Sequence, residues 1–272
     1  SDLPAVIRPL NLLNSDRSQL SFDQWSLLSN VIHAYDEISP LPTILNMLNI
    51  QSIYPLKKRL NLNVVTLTEI LGSIYRSIYS FLERIPDFTA MSVHDQTALI
   101  EHNVHNAGSM SGLLILRDGD LYGNYAFRRA NLDTYGSTSV DGVTKLINRL
   151  DINGTLVKLI LIVLTFSTCL DVVRPQIMNN NSSLSETTER HHLSSMHLFS
   201  IQNKYTDMMF IYMIYRYGYT EAAMRFAGLV YNVLQLCVHT TEAATVQEHD
   251  AMLNMVIEDT TRKLTTEDKV VI

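Results

Sequence analysis

The chain has 272 residues, enough for one large domain or two small ones, and 46% of them are hydrophobic, which can fill a substantial core. Asp and Glu number 27 against 21 Lys and Arg, a formal net charge of -6. That balance argues against a nucleic-acid-binding module, which normally shows a basic face.

In chain order, the first periodic segment is FDQWSLLSNVIHAYDEI, Phe22 to Ile38, with Trp25, Leu28, Ile32 and Tyr35 at helical spacing and Ser21 as N-cap. Ser39 to Asn63 contains Pro and Asn with weak periodicity and reads as a long, partly irregular connection. A strong helix is expected from about Thr66 to Ile85, then another from Ser92 to Leu116, opened by the capping-box pair Ser92 and Asp95. DGDLYGNYAFRR, Asp118 to Arg129, is the β-hairpin candidate: Gly119 and Gly123 supply turn positions, and Tyr122, Tyr125 and Phe127 supply strand-forming side chains.

After Gly142 the helical pattern returns at roughly 143–150, 155–170, 186–216 and 220–245, with the polar loop Met178 to Glu186 between the second and third. The most apolar run, Leu156 to Val173, contains Lys158 and Asp171 and is short for a membrane span, so a central buried helix is expected and no membrane partner. Cys169 and Cys237 lie in apolar helical stretches and read as reduced, buried thiols, with no histidines at zinc-ligand spacing nearby. No signal peptide opens the sequence, so the sequons at Asn153, Asn180 and Asn181 are read as without consequence. No repeat or long linker divides the chain. One mostly helical domain over 1–272 is expected, with its core over 21–245 and a C-terminal segment over 246–272.

The stretch FLERIPDFTAMSVHDQTALIE carries a defined frame: Phe81, Ile85, Pro86, Phe88, Met91, Asp95, Gln96, Leu99 and Ile100. This frame resembles the core motif of nuclear-receptor ligand-binding domains. FSTCLDVVRPQ, Phe166 to Gln176, looks like a loosened Asp-Arg-Pro-Gly turn of that family, and RFAGLVYNVLQL, Arg225 to Leu236, looks like its dimerisation helix. FRRANLDTYGSTSVDG, Phe127 to Gly142, is similar to the segment after the hairpin in the branch containing ecdysone and liver X receptors. The resemblance implies an all-α, three-layer antiparallel sandwich of about 10–12 helices with one small β-hairpin. It also implies a nuclear transcription factor that contacts DNA through a zinc-finger domain absent from this chain.

The resemblance implies a coregulator groove for Leu-x-x-Leu-Leu helices at Tyr79, Glu83, Val93, Gln96, Thr97 and Ile100. It implies a dimer interface at Arg225, Phe226, Leu229, Val233 and Leu236, with a retinoid-X-type receptor as partner or a second copy as the fallback. It places a pocket for a lipid or steroid-like molecule at Leu71, Ile74, Tyr75, Ile78, Ala107, Met110, Ser111, Leu114, Tyr125, Phe127, Leu234 and Val238. The alternative is that large side chains fill this space and the domain is a ligand-free interaction scaffold.

Several positions depart from the family pattern. Glu83 stands where the family has the Lys that caps the coregulator helix, and Met255 in MLNMVI stands where the activation helix has Glu. Asn106 replaces a Glu that would pair with Arg174. His102 and His105 have spacing three, not the four of a zinc-protease helix, and read as a surface pair, while His191, His192 and His197 read as solvated residues at a helix start. No Ser-His-Asp, Cys-His or phosphate-loop constellation is visible, so neither an enzyme nor a cofactor is expected.

Overall fold

The computed structural model describes residues 20–53, 64–167 and 186–267, with the side chains of 51–52, 64–65, 186–195 and 267 excepted. The described residues are helical almost throughout and contain no strand. In chain order the helices are α1 (Phe22–Ile38), α2 (Leu41–Ser52), α3 (Val64–Leu82), α4 (Pro86–Thr89), α5 (Val93–Asp118), α6 (Tyr125–Arg149), α7 (Gly154–Thr165), α8 (Glu186–Tyr217), α9 (Tyr219–Ala243) and α10 (Gln247–Glu267). One 3-10 turn, Leu121–Gly123, lies between α5 and α6.

Helix starts follow local chemistry. Ser21 accepts from the Gln24 backbone N–H at 3.2 Å, while the Gln24 side chain accepts from Ser21 N–H at 2.9 Å, a complete capping box for α1. Trp25 then meets the rings of Tyr212 and Tyr215 edge-on, tying α1 to α8. α5 is the central element and packs against α3, α6, α7, α9 and α10. α7 is buried on nearly every side through Leu156, Val157, Leu159, Ile160, Leu161 and Ile162, as its unbroken apolar run suggests. No described helix is long and apolar enough to cross a membrane.

The joint between α3 and α5 is built as its sequence implies. Pro86 cannot donate to a helix and stands at the first position of α4, while Phe88 is fully buried. Ser92 caps α5 by accepting from Asp95 N–H at 3.1 Å. Gln96 closes the joint: its Nε2 donates to the carbonyls of Phe88 at 3.0 Å and Met91 at 3.1 Å. Asp87 fixes the far side, accepting from the Tyr205 hydroxyl at 2.6 Å and from Lys204 Nζ at 2.7 Å, both on α8.

The hairpin expected over Asp118–Arg129 is absent. Its first residues finish α5, the 3-10 turn follows, and α6 starts at Tyr125. The deciding residue is Asn124, whose side chain accepts from Phe127 N–H at 3.1 Å and caps a helix where a strand was expected. Phe127 is then fully buried on α6, and the one left-handed residue of the turn is Asp120, not a glycine. Helix therefore begins well before residue 143, and the only interruption is at Gly136, whose φ of 79° and ψ of 166° kink α6.

The C-terminal segment over 246–272 contributes a long helix. α10 is an amphipathic helix whose buried stripe is His249, Met252, Leu253, Val256, Thr260 and Leu264. It packs against α3 and α5.

Candidate functional site

A cavity of about 100 Å³ opens between α3, α5, α6 and α9, with the first turn of α10 at its rim. This is several times the space that one water needs. α3 contributes Leu71, Ile74 and Tyr75; α5 contributes Gly108, Ser109, Gly112, Leu113 and Leu116. α6 contributes Asn131, Tyr135, Ser139, Val140 and Val143, and α9 contributes Leu236, His239, Thr240 and Ala243. Tyr122 and His249 complete the wall.

Two glycines make room for this arrangement. A Cβ on Gly108 would lie 2.3 Å from the Tyr75 ring, so only glycine lets α3 bring that ring against α5. A Cβ on Gly112 would meet nothing within 4 Å, because it faces the open space itself.

One wall is polar and links four helices. His249 on α10 places Nδ1 2.9 Å from the Tyr135 hydroxyl of α6 and Nε2 3.2 Å from Nε2 of His105 on α5. The Tyr75 hydroxyl of α3 lies 2.8 Å from the Ser109 hydroxyl and 3.5 Å from His249 Nε2. The Tyr75, His105 and Tyr135 rings all pack around the imidazole of His249. Burial pushes His249 down to about 4, with nearby Asp250 opposing the shift, and burial pushes Tyr75 up to about 12, so both are neutral near neutral pH. The arrangement can orient a polar group at one end of the chamber, and Asn131, Ser139, His239 and Thr240 add polar side chains elsewhere among its apolar lining.

With this geometry in view, comparison with known proteins adds no family: neither protein-family models nor curated proteins give a match.

Of the residues expected in a pocket, Leu71, Ile74 and Tyr75 line the cavity. Ile78, Ala107, Met110, Ser111, Leu114 and Phe127 are buried in the surrounding core and do not line it. Ser111 instead bonds the Tyr35 hydroxyl at 2.8 Å. Tyr125, Leu234 and Val238 face solvent. On α5 the lining positions fall around Gly108–Ser109 and Gly112–Leu113, beside the expected ones on the helix circumference.

Sequence reasoning missed the polar wall. His105 is not a surface residue: it is half-buried and bonded to His249, because α10 packs over that face of α5. His102 and His197 are exposed, and the side chains of His191 and His192 lie outside the described residues. No metal-binding group of three or more ligands occurs among the described residues. A usable signal was present in Ala107-Gly108-Ser109-Met110-Ser111-Gly112, where five small residues surround Met110 inside a long helix and neighbours can come close or space can open.

The groove positions lie at the α3–α5 joint. Tyr79, Gln96 and Ile100 are buried, Val93 and Thr97 are half-buried, and Glu83 is exposed. Arg84, beside Glu83, is ion-paired with Glu37 of α1. Met252, Leu253, Val256 and Leu264 of α10 belong to the same hydrophobic cluster as Tyr79 and Ile100. Arg174 lies outside the described residues; Asn103, one turn before Asn106, donates to the carbonyls of Thr165 and Ser167, both at 2.9 Å, and holds the end of α7.

Of the expected dimer residues on α9, Leu229 and Leu236 are buried, and Phe226 packs on Phe210. Val233 is half-buried, and Arg225 is held by Asp151 at 2.7 Å and Glu221 at 2.8 Å. The face left open carries Met224 (60% exposed), Tyr231 (50%), Leu234 (59%) and Val238 (54%). Their spacing alternates between seven, three and four residues, the period of a helix-to-helix seam.

Proposed function

We propose that the chain is the ligand-binding and dimerisation domain of a nuclear-receptor-type transcription factor, folded as a three-layer antiparallel helical sandwich and working in the nucleus. The observation that carries this reading is the position of the cavity. It lies between α3, α5, α6 and α9, and Leu71, Ile74 and Tyr75 of the pocket that the resemblance implies for a lipid or steroid-like molecule line it. The open stripe on α9 supports pairing with a retinoid-X-type receptor or with a second copy.

The test is native mass spectrometry of the purified chain beside Gly112→Phe. A Cβ at Gly112 meets nothing within 4 Å, so a ring there is directed into the chamber and takes up its space. A stoichiometric small molecule in the wild type, absent from Gly112→Phe, is the expected result. A wild-type chain that carries and takes up no small molecule sinks the sensor reading.

A second reading has its own support. Tyr79, Gln96 and Ile100 are buried and α10 packs on both helices of the groove, while Glu83 opposes a coregulator helix by charge. These features favour a scaffold that acts through dimerisation or corepression rather than ligand-driven activation. The two readings part on whether the cavity holds a ligand.

A further inference from the structure

Resting on the reading of the cavity as a ligand site, we infer that it selects an uncharged, lipid-like molecule bearing a hydroxyl or carbonyl, and rejects carboxylates. No Lys, Arg, Asp or Glu is among the described residues that line it. A carboxylate carried into such a site loses its hydration and meets no cation, a cost that neutral hydrogen bonds do not offset.

The two histidines do not change this. His239 places Nδ1 3.3 Å from Glu242 on α9, so a carboxylate already stands beside it and disfavours a second one. His249 has both ring nitrogens occupied, by Tyr135 and by His105, and its burial disfavours the imidazolium that a carboxylate would need.

A neutral polar group fits the same wall well. The hydroxyls of Tyr135, Tyr75 and Ser109 each hold one donor and two acceptor sites, more than their contacts with one another and His249 consume. A ligand hydroxyl can donate to one of these oxygens and accept from another. Leu71, Ile74, Leu113, Leu116, Val140 and Val143 offer the ligand body apolar surface in the same chamber.

The experiment compares 1-dodecanol with dodecanoate, equal in chain length, at mildly alkaline pH where the acid is ionised. Binding to the full chain is read by calorimetry, with Gly112→Phe as the blocked control. The alcohol is expected to bind at least about tenfold tighter, and Gly112→Phe is expected to abolish its binding. Dodecanoate binding as well as the alcohol, and blocked by Gly112→Phe, overturns the inference while leaving the ligand site intact. Failure of both probes, or binding that ignores Gly112→Phe, removes the ligand site and the inference with it.

Discussion

His249 and His105 face each other through their Nε2 atoms at 3.2 Å, one on the first turn of α10 and the other in the middle of α5. One nitrogen must donate and the other accept, so the contact holds only while at least one ring is neutral. Tyr75 from α3 and Tyr135 from α6 enclose the pair, and Glu248 and Asp250 flank His249 along α10.

This geometry sets a pH dependence. Burial lowers His249 from 6.5 to about 4 in the folded chain. A base with a depressed folded pKa binds more protons when unfolded, so its contribution is intact above about 6.5 and lost as pH falls towards 4. The full loss is on the order of 3 kcal/mol. Denaturant unfolding of the wild type and His249→Gln between mildly alkaline and mildly acidic pH should show the wild type losing stability more steeply. Parallel curves would mean that the histidine is solvated.

Gly108 and Gly112 stand one turn apart on α5, yet substitution by Ala should move stability in opposite directions. At Gly108 the new Cβ would lie 2.3 Å from the Tyr75 ring and force out the group that holds Ser109 and His249. A loss of roughly 1–3 kcal/mol is expected. At Gly112 nothing lies within 4 Å, so the variant gains the helix preference of Ala, about 0.5–1 kcal/mol. Denaturant midpoints decide it, and two shifts of the same sign would refute the packing described for Tyr75.

Legibility in the sequence tracked how local the determining interaction was. Ser21, Pro86 and Ser92 act within a few residues, and the α1 start and the α3–α5 joint formed as expected. Asn124 acts just as locally, but its capping bond competed with a run of aromatics whose strand preference suggested a hairpin. The site was harder because its parts are far apart: His249 is separated from His105 by 144 residues and reaches it only through the packing of α10. The α5 lining differed by a fraction of a helical turn, the resolution lost when positions are transferred by alignment alone.

The open stripe on α9 predicts an interface that differs from the Arg225–Leu236 set. Leu234 and Val238 are exposed apolar side chains in register with Met224 and Tyr231, whereas Leu229 and Leu236 are already buried in the core. On the proposed pairing, the wild type should sediment as a dimer and Leu234→Glu as a monomer, with stability within about 0.5 kcal/mol of wild type. Leu236→Glu should instead damage the fold, because that residue lines the cavity from within. Dimers that persist in Leu234→Glu would place the interface elsewhere.

α10 makes the sharpest prediction about coregulators. Its buried stripe ends at Leu264, and α10 packs against α3 and α5, the helices that carry Tyr79 and Ile100, so the proposed groove is expected to admit a helix from another protein only when α10 gives way. Leu264→Asp places a carboxylate at a buried apolar position, which destabilises the docked helix by roughly 3 kcal/mol. Amide exchange should then accelerate across the last turns of α10 while α5 and α7 remain protected. A labelled Leu-x-x-Leu-Leu peptide should bind this variant at least about tenfold more tightly than wild type. Adding Glu83→Lys should tighten it again by a few-fold, since the change replaces a charge that opposes the C-terminal end of a docked helix with one that favours it, about 0.3–1 kcal/mol for each sign. Equal peptide affinity in wild type and Leu264→Asp would show that α10 does not compete for the groove.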